Sequence, residues 1–337
     1  MPESYPLLCE PLMKDKIWGG RKLQAHFDYL LPHGIKIGEA WITADLPEGS
    51  SKINNGPYAG RSLTDVTRIM GEQLIGTAWK GHYTSGRFPL LIKLLDAADD
   101  LSVQVHPDYE ACQQYFPKDH SKDESWIIIQ SDPEGSILQG FKPGTAYEQY
   151  ELSLKNGTIL DCLQRYQVQP GDVYRIPPGT VHALCKGVLL LEVQEPSDST
   201  FRIYDYNRLG NNGKPRMLHL DESRKAIKFN NINSGPVKTN VTNTSWGRHE
   251  LLVNTSSHRI ERLSLIDAHN WTVDPRSVQV FFAMEGQYIL HAKGESFSIH
   301  DGDAVILPAD IGEITLKPRE ENNSIILIGA KDIPLVQ

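Results

Sequence analysis

The sequence predicts an all-β chain with two helical insertions, folded as two jelly-roll barrels, the first metal-binding and the second a degenerate copy without a metal site. Three observations predict it. Short strand-like segments separated by Gly, Pro and Asn clusters run through most of the 337 residues, the pattern of antiparallel sheets. Two stretches interrupt that pattern with helical spacing. The string Gly171-Asp172-Val173-Tyr174-Arg175-Ile176-Pro177-Pro178 recurs in register as Gly302-Asp303-Ala304-Val305-Ile306-Leu307-Pro308-Ala309, a sign of internal duplication.

Taken in order, residues 5 to 60 carry short strands such as 39–43 and turn clusters such as Asn54-Asn55-Gly56-Pro57. Trp18 and Trp41 suit either a sugar pocket or a core, given the area an indole buries. From Ser62, a candidate N-cap, Leu63, Val66, Ile69, Met70 and Leu74 recur at helical spacing, which predicts a helical insertion near 62–82. Residues 88–97 are too apolar for an edge strand and predict a central one, with Lys93 expected to snorkel to the surface. Residues 109–115 predict a helical turn, and His120 is expected in a solvated loop.

A second helical insertion is expected at 146–165, in two pieces broken at Asn156-Gly157, with Leu152, Leu154, Ile159 and Leu163 as its buried face. Strands resume from Val168 to about Ile203. Loop-rich sequence from 206 to 245 predicts a domain boundary, dividing the chain into a catalytic domain at 1–235 and a C-terminal domain at 236–337. Strands are expected there at 259–265, 278–283, 287–291, 296–299 and 304–307. On the repeat register Glu313 stands where His182 does, and His291 and His300 are expected on the surface.

The net charge of −8 and pI near 5.8 offer no global attraction to nucleic acid or to an anionic membrane, so neither is an expected partner. No apolar run approaches the length needed to span a bilayer, and the N-terminus lacks the pattern of a secretory leader, which predicts a cytoplasmic protein. Cys9, Cys112, Cys162 and Cys185 have neither Cys-x-x-Cys spacing nor a disulfide framework. No Gly-rich nucleotide loop precedes a helix, which excludes a fused nucleotidyl transfer activity.

The chemistry concentrates between Leu101 and His182. Apolar Leu101, Val103 and Val105 alternate with Ser102, Gln104 and His106, so the last three share one face of a strand. Lys122 and Glu124 stand together at the mouth of a second strand. A turn, a short strand and a Pro177-Pro178-Gly179 bend then present His182. Two imidazoles, a carboxylate and an amide oxygen from separate strands suit a divalent first-row ion, and by ligand type zinc. Glu192 ends an apolar run, where desolvation raises a carboxylate toward the range useful for proton transfer. Arg202 can donate a fork of hydrogen bonds to phosphate or to a developing oxyanion.

These strings, Gln104-Val105-His106-Pro107, Lys122-x-Glu124, Gly171-Asp172 to Gly179-Thr180-Val181-His182 and Glu192 to Arg202, resemble the type I mannose-6-phosphate isomerases (phosphomannose isomerases) in their short bacterial form, members of the cupin superfamily. Ile17-Trp18-Gly19-Gly20, Gly38-Glu39-Ala40-Trp41 and Phe88 to Lys93 fall in the same order. The resemblance implies cupin barrels, one Zn2+ per chain on Gln104, His106, Glu124 and His182, and interconversion of D-mannose 6-phosphate and D-fructose 6-phosphate through an enediol, by proton transfer between C1 and C2. It implies that Arg202 is the active-site arginine, that Glu192 and Lys122 are catalytic, and that Ser102, Lys122 and Arg202 face a small phosphorylated sugar.

Ser121-Lys122-Asp123-Glu124-Ser125 varies the family's usual Gly-Lys-Thr-Glu-Cys, and Glu195 adds a negative charge near the expected phosphate path. Two other readings compete. A non-catalytic sugar-phosphate sensor could keep Lys122 and Arg202 but has no need of the full ligand set. An Fe(II) cupin oxygenase would use more histidines and no phosphate grip. A monomer and a homo-oligomer are both compatible with the pattern.

Overall fold

The computed structural model describes residues 3–79, 86–210, 213–229 and 235–336. Positions 80–82 of the first expected helical insertion, and parts of the two expected loops at 211–212 and 230–234, lie outside them. The chain is mostly β, with several sheets. No described helix is long and apolar enough to cross a membrane.

The chain divides into two compact units, Met13–Ala40 with Lys93–Val237, and Met1–Leu12 with Trp41–Ile92 and Lys238–Gln337. The boundary at 237/238 falls two residues from the expected one, but the contiguous division at 1–235 and 236–337 is not the one the packing makes. Hydrogen bonding explains the difference. Strand Leu7–Glu10 pairs with Ala304–Leu307, Leu7 lying opposite Ile306. The first helical insertion is tied to the C-terminal strands by bonds from Val278 N–H to the Ile75 carbonyl and from Ala309 N–H to the Leu74 carbonyl. Pairings of such long sequence separation leave no local periodicity to read.

The first unit holds every candidate site residue. One of its sheets has five strands, neighbours in the order Leu163–Gln167, Ser136–Phe141, His182–Leu184, Val103–Val105 and Phe201–Tyr204. The other runs, within this unit, Val173–Ile176, Glu124–Ser131, Val188–Gln194, 93–97, 13–20 and 37–40. Directly opposed residues share a face. Trp126, Ile128, Leu190, Tyr174, Ile176, Leu95, Ile137 and Leu184 therefore meet in one buried core. The opposite face of the shorter sheet, with Val103, Val105, Leu138 and Ala183, packs against Tyr150, Ile159 and Ala226 from helical segments.

The second helical insertion follows the expected break, with Tyr147–Asn156 ending at Gly157 in the left-handed region and a 3-10 turn at Ile159–Cys162. Residues 163–165 are strand rather than helix, because Arg165 and Leu163 pair with the Ser136–Phe141 strand. Leu152 is 58% exposed and not part of the buried face, while Ile159 and Leu163 are buried. In the first insertion Ser62 caps Leu63–Met70 by accepting from Asp65 N–H, and Leu63, Val66, Met70 and Leu74 are buried while Ile69 is exposed. Trp18 and Trp41 are both core aromatics.

The second unit carries an eight-stranded and a four-stranded sheet around its own apolar cluster, which includes Phe281, Leu290, Val305 and Leu316. Its strands Arg259–Leu265, Gln279–Glu285, Tyr288–Ala292, Glu295–Ile299 and Ala304–Leu307 match expectation within two residues. The repeat extends to hydrogen bonds. Asp172 accepts from Gln169 N–H and Asp303 from His300 N–H, each through Oδ2. Gly171 N–H donates to Ile128 and Gly302 N–H to Ala283. On that correspondence Gln279, opposite Leu307, takes the place of Glu124, opposite Ile176. His291 and His300 are exposed.

Two leucines give a test of this packing. Leu190→Ala, in the first unit's core at 0% exposure, should lower unfolding free energy by about 2–5 kcal/mol in urea denaturation. Leu152→Ala should stay within about 0.5 kcal/mol of the parent; equal effects would contradict the assignment of faces.

Candidate metal centre and active site

Register brings the candidate ligands together. In the five-stranded sheet Gln139, His182, Gln104 and Arg202 lie directly opposite one another in succession, four side chains from four strands on one face. His182 follows the bend in which Gly179 adopts φ 87°, a conformation that favours glycine, and Gly179 N–H donates to the His106 carbonyl. Glu124 begins the facing strand and points to the same interior as Trp126. His106, Glu124 and His182 are buried, with one ligand atom from each within 4.8 Å of the others.

Hydrogen bonds fix how the imidazoles face one another. His106 Nδ1 lies 2.8 Å from the Ser199 carbonyl and His182 Nδ1 lies 2.9 Å from the Thr180 carbonyl. A carbonyl only accepts, so each Nδ1 carries a proton and each ring points Nε2 inward, the atom through which a neutral imidazole offers its lone pair. There His106 Nε2 is 3.6 Å from Glu124 Oε2, and His182 Nε2 is 3.2 Å from Glu124 Oε1. Glu124 Oε1 is buried and has no hydrogen-bond donor among the described residues. Two inward Nε2 atoms beside a buried carboxylate suit a cation, and the backbone carbonyls are the outer partners that metal-bound histidines require. The donor set, two imidazoles and a carboxylate, fits a divalent ion such as zinc.

Gln104 Nε2 is 3.2 Å from His182 Nε2. The two ends of an amide are assigned by their partners, and turned over it offers Oε1 to the same position. Lys122 Nζ donates to Glu124 Oε2 at 2.6 Å and lies 3.0 Å from His106 Nε2.

Charge states follow from this packing. Burial, with Lys122 alongside, lowers the His106 imidazole to about 4 and keeps it neutral. Burial alone would raise Glu124, but the Lys122 ammonium bonded to it overcomes that and holds the carboxyl well below the usual range.

Glu192 is buried, two residues before Gln194, which lies opposite Glu124. Its Oε1 accepts from Trp126 Nε1 at 3.0 Å, and its Oε2 is 3.2 Å from Lys93 Nζ. Burial raises its carboxyl, against the pull of Lys122 and Lys93. The Trp126 ring meets His182 edge-on at 5.5 Å, so one indole links the metal cluster to Glu192. Lys93 does not snorkel: its side chain is 5% exposed, because its strand is flanked by neighbours on both sides. Burial would lower Lys93, but Glu192 and Glu39 outweigh it and hold the ammonium charged. A lysine inside the apolar run 88–97 was the signal, since a central strand gives it no route to solvent and demands a buried acid.

Arg202 stands beside Gln104 in the sheet, but its contacts run outward: Nη1 donates to the Met217 carbonyl at 2.9 Å, and its backbone N–H to His219 Nδ1. Ser102 is buried and makes no hydrogen bond to the cluster among the described residues. Glu195 accepts from Asp123 N–H at 2.9 Å, so its charge is engaged in holding the Lys122–Glu124 segment. His120 is exposed and outside the cluster.

Known proteins resemble this chain in sequence and in fold. The family described as "Phosphomannose isomerase type I, catalytic domain" matches residues 7–138. A Bacillus subtilis protein named as a probable mannose-6-phosphate isomerase is 34% identical over 327 residues, covering 93% of this chain and 96% of its own length. A second Bacillus subtilis protein, named mannose-6-phosphate isomerase, is 32% identical over 321 residues, again covering 93% and 96%. The crystal structure of a mannose 6-phosphate isomerase from Bacillus subtilis superposes with a TM-score of 0.87 at 30% identity, over 96% of this chain and 99% of that one.

The histidine shift predicts a pH dependence in chelator-treated protein. Folded His106 takes a proton only near pH 4, whereas an unfolded histidine does so near 6.5. The unfolded state thus binds more protons between those values, and stability should fall as pH drops from about 6.5 to about 4, by on the order of 3 kcal/mol. Glu124 continues the loss at lower pH. Urea midpoints measured across this range should decline less steeply in His106→Asn; identical slopes would contradict a buried neutral imidazole.

Proposed function

We propose that this chain, which belongs to the type I phosphomannose isomerase family, is a zinc-dependent aldose-ketose isomerase that interconverts D-mannose 6-phosphate and D-fructose 6-phosphate. The observation that carries the reading is the buried group of His106, Glu124 and His182, whose ligand atoms gather within 4.8 Å. His106, Glu124, His182 and Gln104 would hold one zinc ion. When bound, that ion supplies Lewis-acid polarisation of the sugar's carbonyl and adjacent hydroxyl.

The chain's own groups supply the rest. Isomerisation moves a proton between C1 and C2 through an enediol, which needs a base of raised pKa close to the sugar. Glu192 fits that role, with its carboxyl raised by burial and fixed between Trp126 and Lys93. Lys122, bonded to Glu124, and Arg202, opposite Gln104 in the sheet, suit the phosphate and the developing oxyanion. Ser102, buried at the foot of the Gln104 strand, completes the substrate-facing set.

We read the two units as two cupin barrels, the first metal-binding and the second a copy that has lost its metal. Gln279 supports this. In place of a free carboxylate it has an amide engaged by Trp271 Nε1 and by the Leu335 carbonyl. The four cysteines are free, in keeping with a cytoplasmic enzyme.

A coupled assay of purified protein on mannose 6-phosphate tests the reading. Chelator should abolish turnover and zinc should restore it; turnover that survives complete metal removal would overturn the metal's role. His182→Ala should lose both zinc and activity. Arg202→Ala should retain zinc while turnover falls by about 100-fold or more; equal loss of zinc in both variants would make Arg202 structural.

A further inference from the structure

Gln194 is completely buried at the end of its strand, directly opposite Glu124 and two residues beyond Glu192. Opposed residues share a face and so do alternate ones, which places its side chain on the interior face that carries both carboxylates. Its amide nitrogen is fully committed, donating to the Glu195 carbonyl at 2.8 Å and to the Ser197 carbonyl at 2.6 Å. Two acceptors on that atom fix it as nitrogen, so the other end is the oxygen. That oxygen, Oε1, is buried and has no donor among the described residues.

A buried acceptor left without a donor is costly, and a ligand's hydroxyl can complete it. The face concerned already carries the carboxylates assigned to metal and to proton transfer. A sugar offers hydroxyl donors there, whereas its phosphate offers only acceptors and would be repelled by an amide oxygen.

We infer that Gln194 Oε1 accepts a hydrogen bond from one hydroxyl of the sugar and so orients the substrate between Glu124 and Glu192. This rests on the proposed substrate class but not on turnover. The loop bonds of the amide nitrogen make the acceptor rigid, so it would select the position of a hydroxyl rather than adapt to it.

Calorimetric titration of zinc-loaded protein with mannose 6-phosphate and with each of its monodeoxy analogues tests the inference. The parent should bind one analogue about 10-fold more weakly than the others. In Gln194→Met, mannose 6-phosphate should weaken by a similar factor, and the discrimination against that one analogue should vanish while zinc content stays at the parent's value. A structural role would weaken every ligand equally and leave the discrimination in place, which would overturn the inference, as would loss of zinc in proportion to loss of binding. Should Gln194→Met not fold, Gln194→Asn, which withdraws the oxygen by one methylene, must lose the same discrimination. Failure of the isomerase reading is separate: it appears as binding without turnover in the parent.

Discussion

Two imidazole lone pairs turned toward a buried carboxylate form the constraint on which the rest of the site depends. Their direction is set by backbone, since the Ser199 and Thr180 carbonyls each hold an Nδ1 proton. Those carbonyls are held in turn by the Gly179 bend and by the strand that carries Arg202. The fold therefore concentrates negative potential at one interior point and leaves Glu124 Oε1 without a donor. Such an arrangement costs stability in isolation and is recovered by a bound cation, which couples metal affinity to the folded state.

The same interior is divided along its length. Toward one end, Trp126, Ile128, Leu190 and Ile137 form a dry core. Toward the other, His182 and Gln104 gather at Glu124, with Glu192 and Gln194 on the same face of the neighbouring strand. Charges near the boundary come in pairs, Lys122 with Glu124 and Lys93 with Glu192. Breaking either pair would strand an uncompensated buried charge, typically costing about 3–5 kcal/mol. Trp126 belongs to both regions, packing in the core while donating to Glu192 and meeting His182 edge-on.

Much of this was legible in the sequence because it is local. Alternation placed Gln104 and His106 on one face, the Pro-Pro-Gly bend announced His182, and the two Gly-Asp strings, alike in sequence, make matching side-chain bonds. What the sequence hid depends on partners far away in the chain. The pairing of Leu7 with Ile306 redrew the unit boundary, and the burial of Lys93 against Glu192 became visible only once their strands were neighbours. Gln194 was silent for another reason: its amide nitrogen is fixed by a turn at Glu195 and Ser197 whose geometry residue identities do not reveal.

The central claim is that the inward lone pairs and carboxylate of this unit bind one zinc ion. The X-ray absorption spectrum of the zinc-loaded protein tests it most directly. The account predicts one zinc per chain with only nitrogen and oxygen neighbours near 2.0–2.2 Å and the scattering signature of two imidazoles. Sulfur neighbours near 2.3 Å, or a spectrum without imidazole scattering, would contradict it.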